Sequence, residues 1–167
     1  MTAPGDELVE VVDPDGVVVE LVTRATMRAE NLRHRCSYIV VRSAGRVLAH
    51  QRAGWKDVWP SHWDLAFGGV LNAGEGWTEG AARELAEEAG IVVAPSALTE
   101  LGPLAFESEL VRVLGRVYAV ESDGPFTFAD GEVAAIEWVE VDALGEWLAG
   151  RPVCLDTLAG LVPLLSA

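Results

Sequence analysis

The chain has 167 residues, half of them hydrophobic, and its 26 acidic against 12 basic side chains leave a net charge of −14. That length and apolar content suit one ordinary globular domain able to bury its own core, so 1–167 reads as a single unit. The acidic balance excludes a nucleic-acid polymer or an anionic membrane as partner, because both require a basic face.

The opening MTAPGDELVEVV has no basic n-region and no apolar h-region, and no apolar run reaches the ~18 residues that span a bilayer. A cytoplasmic protein is expected. Cys36 and Cys154 cannot build a disulfide framework and match no CxxC metal spacing. LVEVVDPDGVVVELV reads as two strands joined by the turn Asp13-Pro14-Asp15-Gly16, and a short helical stretch follows over 25–32. Residues 1–34 thus form an N-terminal hairpin and helix. SYIVVRSAGRVLAHQRA reads as a second hairpin turning at Ser43-Ala44-Gly45, and a loop with Trp55, Trp59, Pro60 and Trp63 leads to a short strand at 64–67. A helix over about 78–89 comes next, with Thr78 as N-cap, Glu79 in the first turn and Gly90 as the stop. Beyond it, 98–107, 111–120 and 134–141 read as strands, with helices near 142–148 and 155–165. This mixture of hairpins, strands and helices predicts an α/β (α+β) sandwich built on mixed sheet. The N-terminal extension and the apolar C-terminal helix offer surfaces for a homodimer.

Chemistry concentrates in the stretch GVLNAGEGWTEGAARELAEEAGI, residues 69–91. On the expected helix Glu84 and Glu88 lie one turn apart with Glu87 beside them, whereas Ala81, Leu85 and Ala89 form an apolar stripe facing elsewhere. Like charges at i, i+4 destabilise a helix by a few tenths of a kcal/mol and raise at least one carboxyl pKa, so such a cluster gains from a cation. Oxygen ligands point to a hard divalent ion, Mg²⁺ or Mn²⁺. The positions Gly69, Glu75, Arg83, Glu84, Leu85, Glu87, Glu88, Gly90 and Ile91 together resemble the signature of the Nudix hydrolase superfamily.

The resemblance implies a Nudix-type α/β/α sandwich whose loop–helix–loop holds metal ions against a diphosphate while water attacks one phosphorus of a nucleoside diphosphate linked to another moiety. Carried over position by position, Glu87 and Glu88 are core metal ligands, with the Gly68 carbonyl as a further one. Glu84 is a ligand or the base acting on water, and Arg83 orients the glutamates with Glu75 as its partner. Glu132, after a long loop, matches the place where this family sets an extra glutamate as ligand or base. The expected substrate is a small diphosphate, a nucleoside di- or triphosphate or a nucleotide sugar.

Eight of the twelve basic residues fall between Arg24 and Lys56, and seven of those eight are arginines suited to bidentate phosphate contacts. Arg35, Arg52 and Lys56 are the candidates for the substrate, and Trp59, with Trp55 and Trp63, for stacking on a base. Glu107 and Glu109 end a strand that could approach the metals. His34, His50 and His62 lack ligand spacing. The N-terminal hairpin, MRAENLRHRCSYIVV and WPSHWDLAFGGV further resemble the branch related to isopentenyl diphosphate isomerase. That enzyme's catalytic cysteine and metal-binding histidine are absent here, with Phe67 and Gly69 at the aligned places. A module that binds a metabolite without cleaving it is the other alternative, disfavoured because Glu84, Glu87 and Glu88 are all retained.

Overall fold

A computed structural model describes residues 3–167; Met1 and Thr2, where the opening segment begins, lie outside the described residues. The chain runs β1 (Leu8–Val12), β2 (Val18–Thr23), α1 (Arg24–Ala29), β3 (His34–Ser43), β4 (Arg46–Arg52), β5 (Trp63–Asp64), β6 (Phe67–Val70), α2 (Trp77–Ala89), β7 (Thr99–Glu107), β8 (Arg112–Glu121), β9 (Val133–Glu140), α3 (Leu144–Leu148) and α4 (Val162–Leu165).

β3 organises the sheet because the alternation in HRCSYIVVRS makes both its faces apolar. Ile39 and Val41 enter one core, and Cys36, Tyr38 and Val40 enter another on the opposite side. β8 pairs with it in parallel from His34↔Val113 to Arg42↔Glu121, and β6 pairs antiparallel from Cys36↔Val70 to Ile39↔Phe67. β7 extends the sheet beyond β8, β9 and β5 pair with β4, and the β1–β2 hairpin joins through Val11↔His34. The result is one mixed sheet with helices on both faces.

α2 lies on one face through Ala81, Leu85 and Ala89, which are fully buried against Ile39, Val41, Phe67 and Tyr118. Burying Leu85 alone contributes about 1.5–3 kcal/mol, and this stripe fixes which way the helix's glutamates point. On the other face Trp147, Leu161 and Leu165 pack over Val40, Val47 and Val117. β2 is a sheet edge, where Val18, Val19 and Leu21 stay exposed. Among the described residues no helix is long and apolar enough to cross a membrane.

Three expectations need correction. The strand expected at 64–67 is two strands, β5 and β6, broken at Leu65 and Ala66. The Asp64 Oδ1 accepts both of their amides, at 2.7 and 3.3 Å, so those amides turn inward rather than into a ladder. Thr78 is not the N-cap: α2 starts at Trp77 after Gly76, and the Thr78 hydroxyl donates to Glu79 instead, at 3.1 Å. The helix expected over 155–165 opens as a wide turn, Thr157–Leu161, before α4, where Pro163 has no N–H to continue a regular ladder. Gly90 does end α2, in the left-handed conformation at φ 69°.

Candidate active site

The site begins with Arg83, which reaches back from α2 to the loop after β6. Its Nε and Nη2 donate to the two Glu75 oxygens at 2.7 and 2.8 Å, a bidentate pair, and Nη2 also reaches the Val70 carbonyl at 3.3 Å. Nη1 donates to Glu84 at 2.8 Å and to Glu87 at 3.2 Å. Glu75 closes its own loop by accepting the Asn72 amide at 2.9 Å. Burial acts to raise the Glu75 pKa, but Arg83 and the Asn72 amide outweigh it and hold the carboxyl below its usual range. The same contact with Glu75 lifts Arg83 further above its usual value.

Arg83 therefore fixes the spacing of two carboxylates, and β6 fixes the third. Glu84 is almost fully buried, and burial raises its pKa against the opposing pull of Arg83. Glu88 accepts the Gly68 amide at 2.9 Å. Burial, then the Glu84 charge, push Glu88 up to about 8. Glu87 stands exposed beside them.

The two glycines of β6 shape this packing in different ways. Gly68 has φ 145°, and a Cβ there would lie 2.0 Å from the Ser37 carbonyl oxygen. The nearest atoms a Cβ on Gly69 would meet are those of the Glu84 carboxylate, at 2.7–2.9 Å, a side chain that must shift to admit it. Gly69→Ala is thus expected to leave the thermal midpoint within a few degrees while lowering catalytic turnover about 10–100-fold, the range seen when a positioning contact is lost. Paired thermal melts and steady-state kinetics check it; a folded variant with full turnover would contradict this placement of Glu84.

Glu84, Glu87, Glu88 and Glu132 line a common cleft of about 540 Å³, together with Arg24, Arg28, Arg52 and Lys56. Lys56 holds Glu132 by an ion pair of 2.5 Å, and the Arg52 Nε donates to the Val58 carbonyl at 3.1 Å. Not every candidate gathers here. Arg35 is taken up by Glu10 at 2.6 Å and the Glu75 carbonyl at 3.1 Å and lies over the Trp77 ring, outside the residues lining the cleft. Trp59 is buried edge-on to Phe106, Trp63 packs against Trp147, and Trp55 is exposed beside Lys56. Glu107 pairs with Arg33, and Glu109 is exposed. Arg24 and Arg28 were missed as cleft residues although their i, i+4 spacing on α1 was a usable signal.

The donor set suits a hard divalent cation, since its atoms are carboxylate and carbonyl oxygens and the half-buried Glu88 is held in a place where its anion is costly without a positive partner. Among the described residues no three His, Cys, Asp or Glu side chains already converge as a cage, because Arg83 holds Glu84 and Glu87.

Beneath the cleft lies a polar cluster that spacing in the sequence did not suggest. His34 and His50 are buried, and burial lowers each to a pKa of about 4. Asp64 accepts the Thr157 hydroxyl at 2.5 Å, and Asp156 accepts the Tyr38 hydroxyl at 2.8 Å. Burial, then Asp64, push Asp156 up to about 7. The signs oppose each other. A histidine with a depressed folded pKa gives stability that is present above ~6.5 and lost as pH falls toward 4, whereas a raised Asp156 gives stability lost as pH rises toward 7. Subtracting a His50→Gln variant isolates the first effect: relative to it, the wild type is expected to lose about 3 kcal/mol between pH 6.5 and pH 4 in denaturant titrations. A pH-independent difference would show that folding leaves the His50 pKa unchanged.

Residues 32–156 match the family described as the NUDIX domain. The chain is 39% identical over 134 residues to the uncharacterized Nudix hydrolase YfcD of Escherichia coli, covering 80% of this chain and 73% of YfcD. It is 33% identical over 156 residues to the uncharacterized Nudix hydrolase PA4841 of Pseudomonas aeruginosa, covering 93% and 91%. Among solved structures, DR0079 from Deinococcus radiodurans superposes with a TM-score of 0.74 at 26% identity over 95% of this chain and 97% of DR0079. The MutT protein of Methanosarcina mazei Go1, at 23% identity and a TM-score of 0.65 over 80% and 90%, shares the fold.

Proposed function

The chain belongs to the Nudix family, and on that footing we propose that it is a hydrolase that cleaves the diphosphate bond of a small substrate, a nucleoside diphosphate linked to another moiety, using Mg²⁺ or alternatively Mn²⁺. One observation supports this above the others: Glu84, Glu87, Glu88 and Glu132 share a cleft with five cationic side chains, Arg83 among them, so metal-binding and phosphate-binding groups face the same space. Glu87 and Glu88, with the Gly68 carbonyl, would hold the ion. Bound there, a divalent cation neutralises diphosphate oxygens and lowers the pKa of coordinated water.

The chain's own residues divide the remaining work. Arg24, Arg28 and Arg52 bind and orient the diphosphate. Arg83 keeps Glu84 and Glu87 spaced, acting through them rather than on the substrate. Glu84 or Glu132 accepts the proton of the attacking water, each being a carboxylate that lines the cleft. A diphosphate of this kind is a cytoplasmic metabolite, in keeping with the cytoplasmic location we infer for the chain.

Metal removal tests this reading. Phosphate and pyrophosphate release is measured from a panel of nucleoside di- and triphosphates, nucleotide sugars and isopentenyl diphosphate, with Mg²⁺ and with EDTA. Turnover of one class, lost in EDTA and restored by excess Mg²⁺, is the expected result. Tight binding without turnover by the Mg²⁺-loaded protein across the panel would instead make the chain a binding module.

A further inference from the structure

Six residues that precede the family-matched stretch line the cleft, namely Pro4, Gly5, Glu7, Arg24, Ala25 and Arg28. The segment that carries them is docked on the loop after β6. The Ala73 amide donates to the Leu8 carbonyl at 2.8 Å and the Gly74 amide to Glu10 at 2.9 Å, while Val9 and Met27 are almost fully buried. α1 is therefore a fixed wall of the site, and on it Arg24 and Arg28 lie one turn apart on the same face.

These two arginines differ from the other cations of the cleft in how little holds them. Arg83 is spent on Glu75, Glu84 and Glu87, Lys56 on Glu132, and the Arg52 Nε on the Val58 carbonyl. Arg24 reaches Glu7 only at 3.5 Å and Arg28 reaches Asp57 only at 3.8 Å. Both acids are largely open to water, and screened pairs of this kind are weak, so an incoming anion displaces them readily. A guanidinium has five N–H donors in a planar fork, and here two such forks stand ready beside each other.

The number of free oxygens decides which anion suits them. A phosphate esterified on both sides has two non-bridging oxygens and a single charge. A terminal phosphate has three and a charge of about −1.5 to −2 at neutral pH, so it can face two guanidinium forks and still turn an oxygen toward the acidic end of the cleft. Space argues the same way: Arg28 also lines a cavity of about 90 Å³ beneath the cleft, with Cys36, Tyr38 and Val111 in its wall. A ring the size of benzene needs ~150 Å³, so no sugar or base continues past Arg28 in that direction.

We propose that Arg24 and Arg28 clamp a free terminal phosphate, so that the preferred substrate ends in an uncapped phosphate, as a nucleoside di- or triphosphate does and a nucleotide sugar does not. This rests on the hydrolase reading for the acidic half of the cleft only, and it narrows the substrate class.

The test compares two ligands that differ only at that end, α,β-methylene adenosine diphosphate and its β-methyl ester. Their P–C–P bridge prevents hydrolysis during calorimetric titration of the Mg²⁺-loaded protein. The uncapped ligand is expected to bind roughly tenfold or more tightly, the worth of one charge-assisted contact. Arg24→Gln and Arg28→Gln are each expected to reduce that preference by roughly threefold or more, whereas Arg112→Gln, which removes the same charge from the exposed start of β8, leaves it unchanged. Equal wild-type affinities, no measurable binding of either ligand, a preference that survives in both cleft variants, or an equal loss in Arg112→Gln overturns the proposal. Turnover of adenosine diphosphate and of its β-methyl ester separates the two readings. A binding preference with no turnover of either keeps the clamp and removes the hydrolase, whereas equal binding with turnover of both does the reverse.

Discussion

Glu88→Gln is expected to lower kcat by 100-fold or more while leaving the protein at least as stable as the wild type. Outer contacts to a metal site are worth 10–100-fold in activity, so a carboxylate that itself holds the ion sets a larger loss. Stability moves the other way because burial, then the Glu84 charge, raise the Glu88 pKa to about 8. A raised carboxyl gives its full contribution below the unfolded pKa and loses it as pH rises toward 8, so above that pH the native state holds a costly anion. Glutamine is neutral, has the same shape and keeps an oxygen for the Gly68 amide, now 2.9 Å from Glu88. Melts in EDTA at pH 9 should therefore show an equal or higher midpoint for the variant. Loss of activity accompanied by a lower midpoint would mean that Glu88 supports the fold rather than the reaction.

Arg83→Met has the largest expected effect on folding. It removes the bidentate pair with Glu75 and the contacts to Glu84 and Glu87, leaving Glu75 and Glu84 carboxylates that are only 16% and 9% exposed. Breaking a buried pair costs ~3–5 kcal/mol, and because 28% of the Arg83 side chain remains exposed the expected loss is about 3 kcal/mol, near the lower end. For a chain of this size that lowers the thermal midpoint by roughly 6–12 °C. A Glu75→Gln partner mutation should recover part of the loss, and a double-mutant cycle measures how much. Additive effects would show that the two side chains do not interact.

Much of this was legible in the sequence because the informative signals are local. The α2 stripe Ala81, Leu85, Ala89 and the left-handed Gly90 follow from spacing and side-chain type alone, and so does the shared face of Glu84 and Glu88. The partnership of Arg83 with Glu75 came from the family resemblance and is seen in the structure. The N-cap was misjudged because side-chain preference pointed to Thr78, whereas the Glu75–Arg83 clamp sets where the loop ends and the helix starts after Gly76. The break in the strand at Asp64 depends on Thr157, 93 residues away, holding the same carboxylate oxygen that turns the Leu65 and Ala66 amides. Arg35 sits in the basic window with Arg52, yet the β1 residue Glu10 claims it, a contact no local pattern announces. His34 and His50 lack ligand spacing, and they line one cavity although β3 and β4 pair only at the hairpin end, Arg42↔Val47 and Ser43↔Arg46.

The contrast between these two kinds of site bears on how such a protein diversifies. The acidic residues of α2 and the loop before it belong to one short continuous segment, so a single duplication or exchange carries them intact, and almost any change inside it is felt by its neighbours through Arg83. The cavity beneath the cleft draws on β3, β4, β5 and the segment before α4, four residues from β3 and one or two from each of the others. Lineages can therefore alter those positions independently, one at a time, and acquire a new molecular diet while inheriting the same reaction.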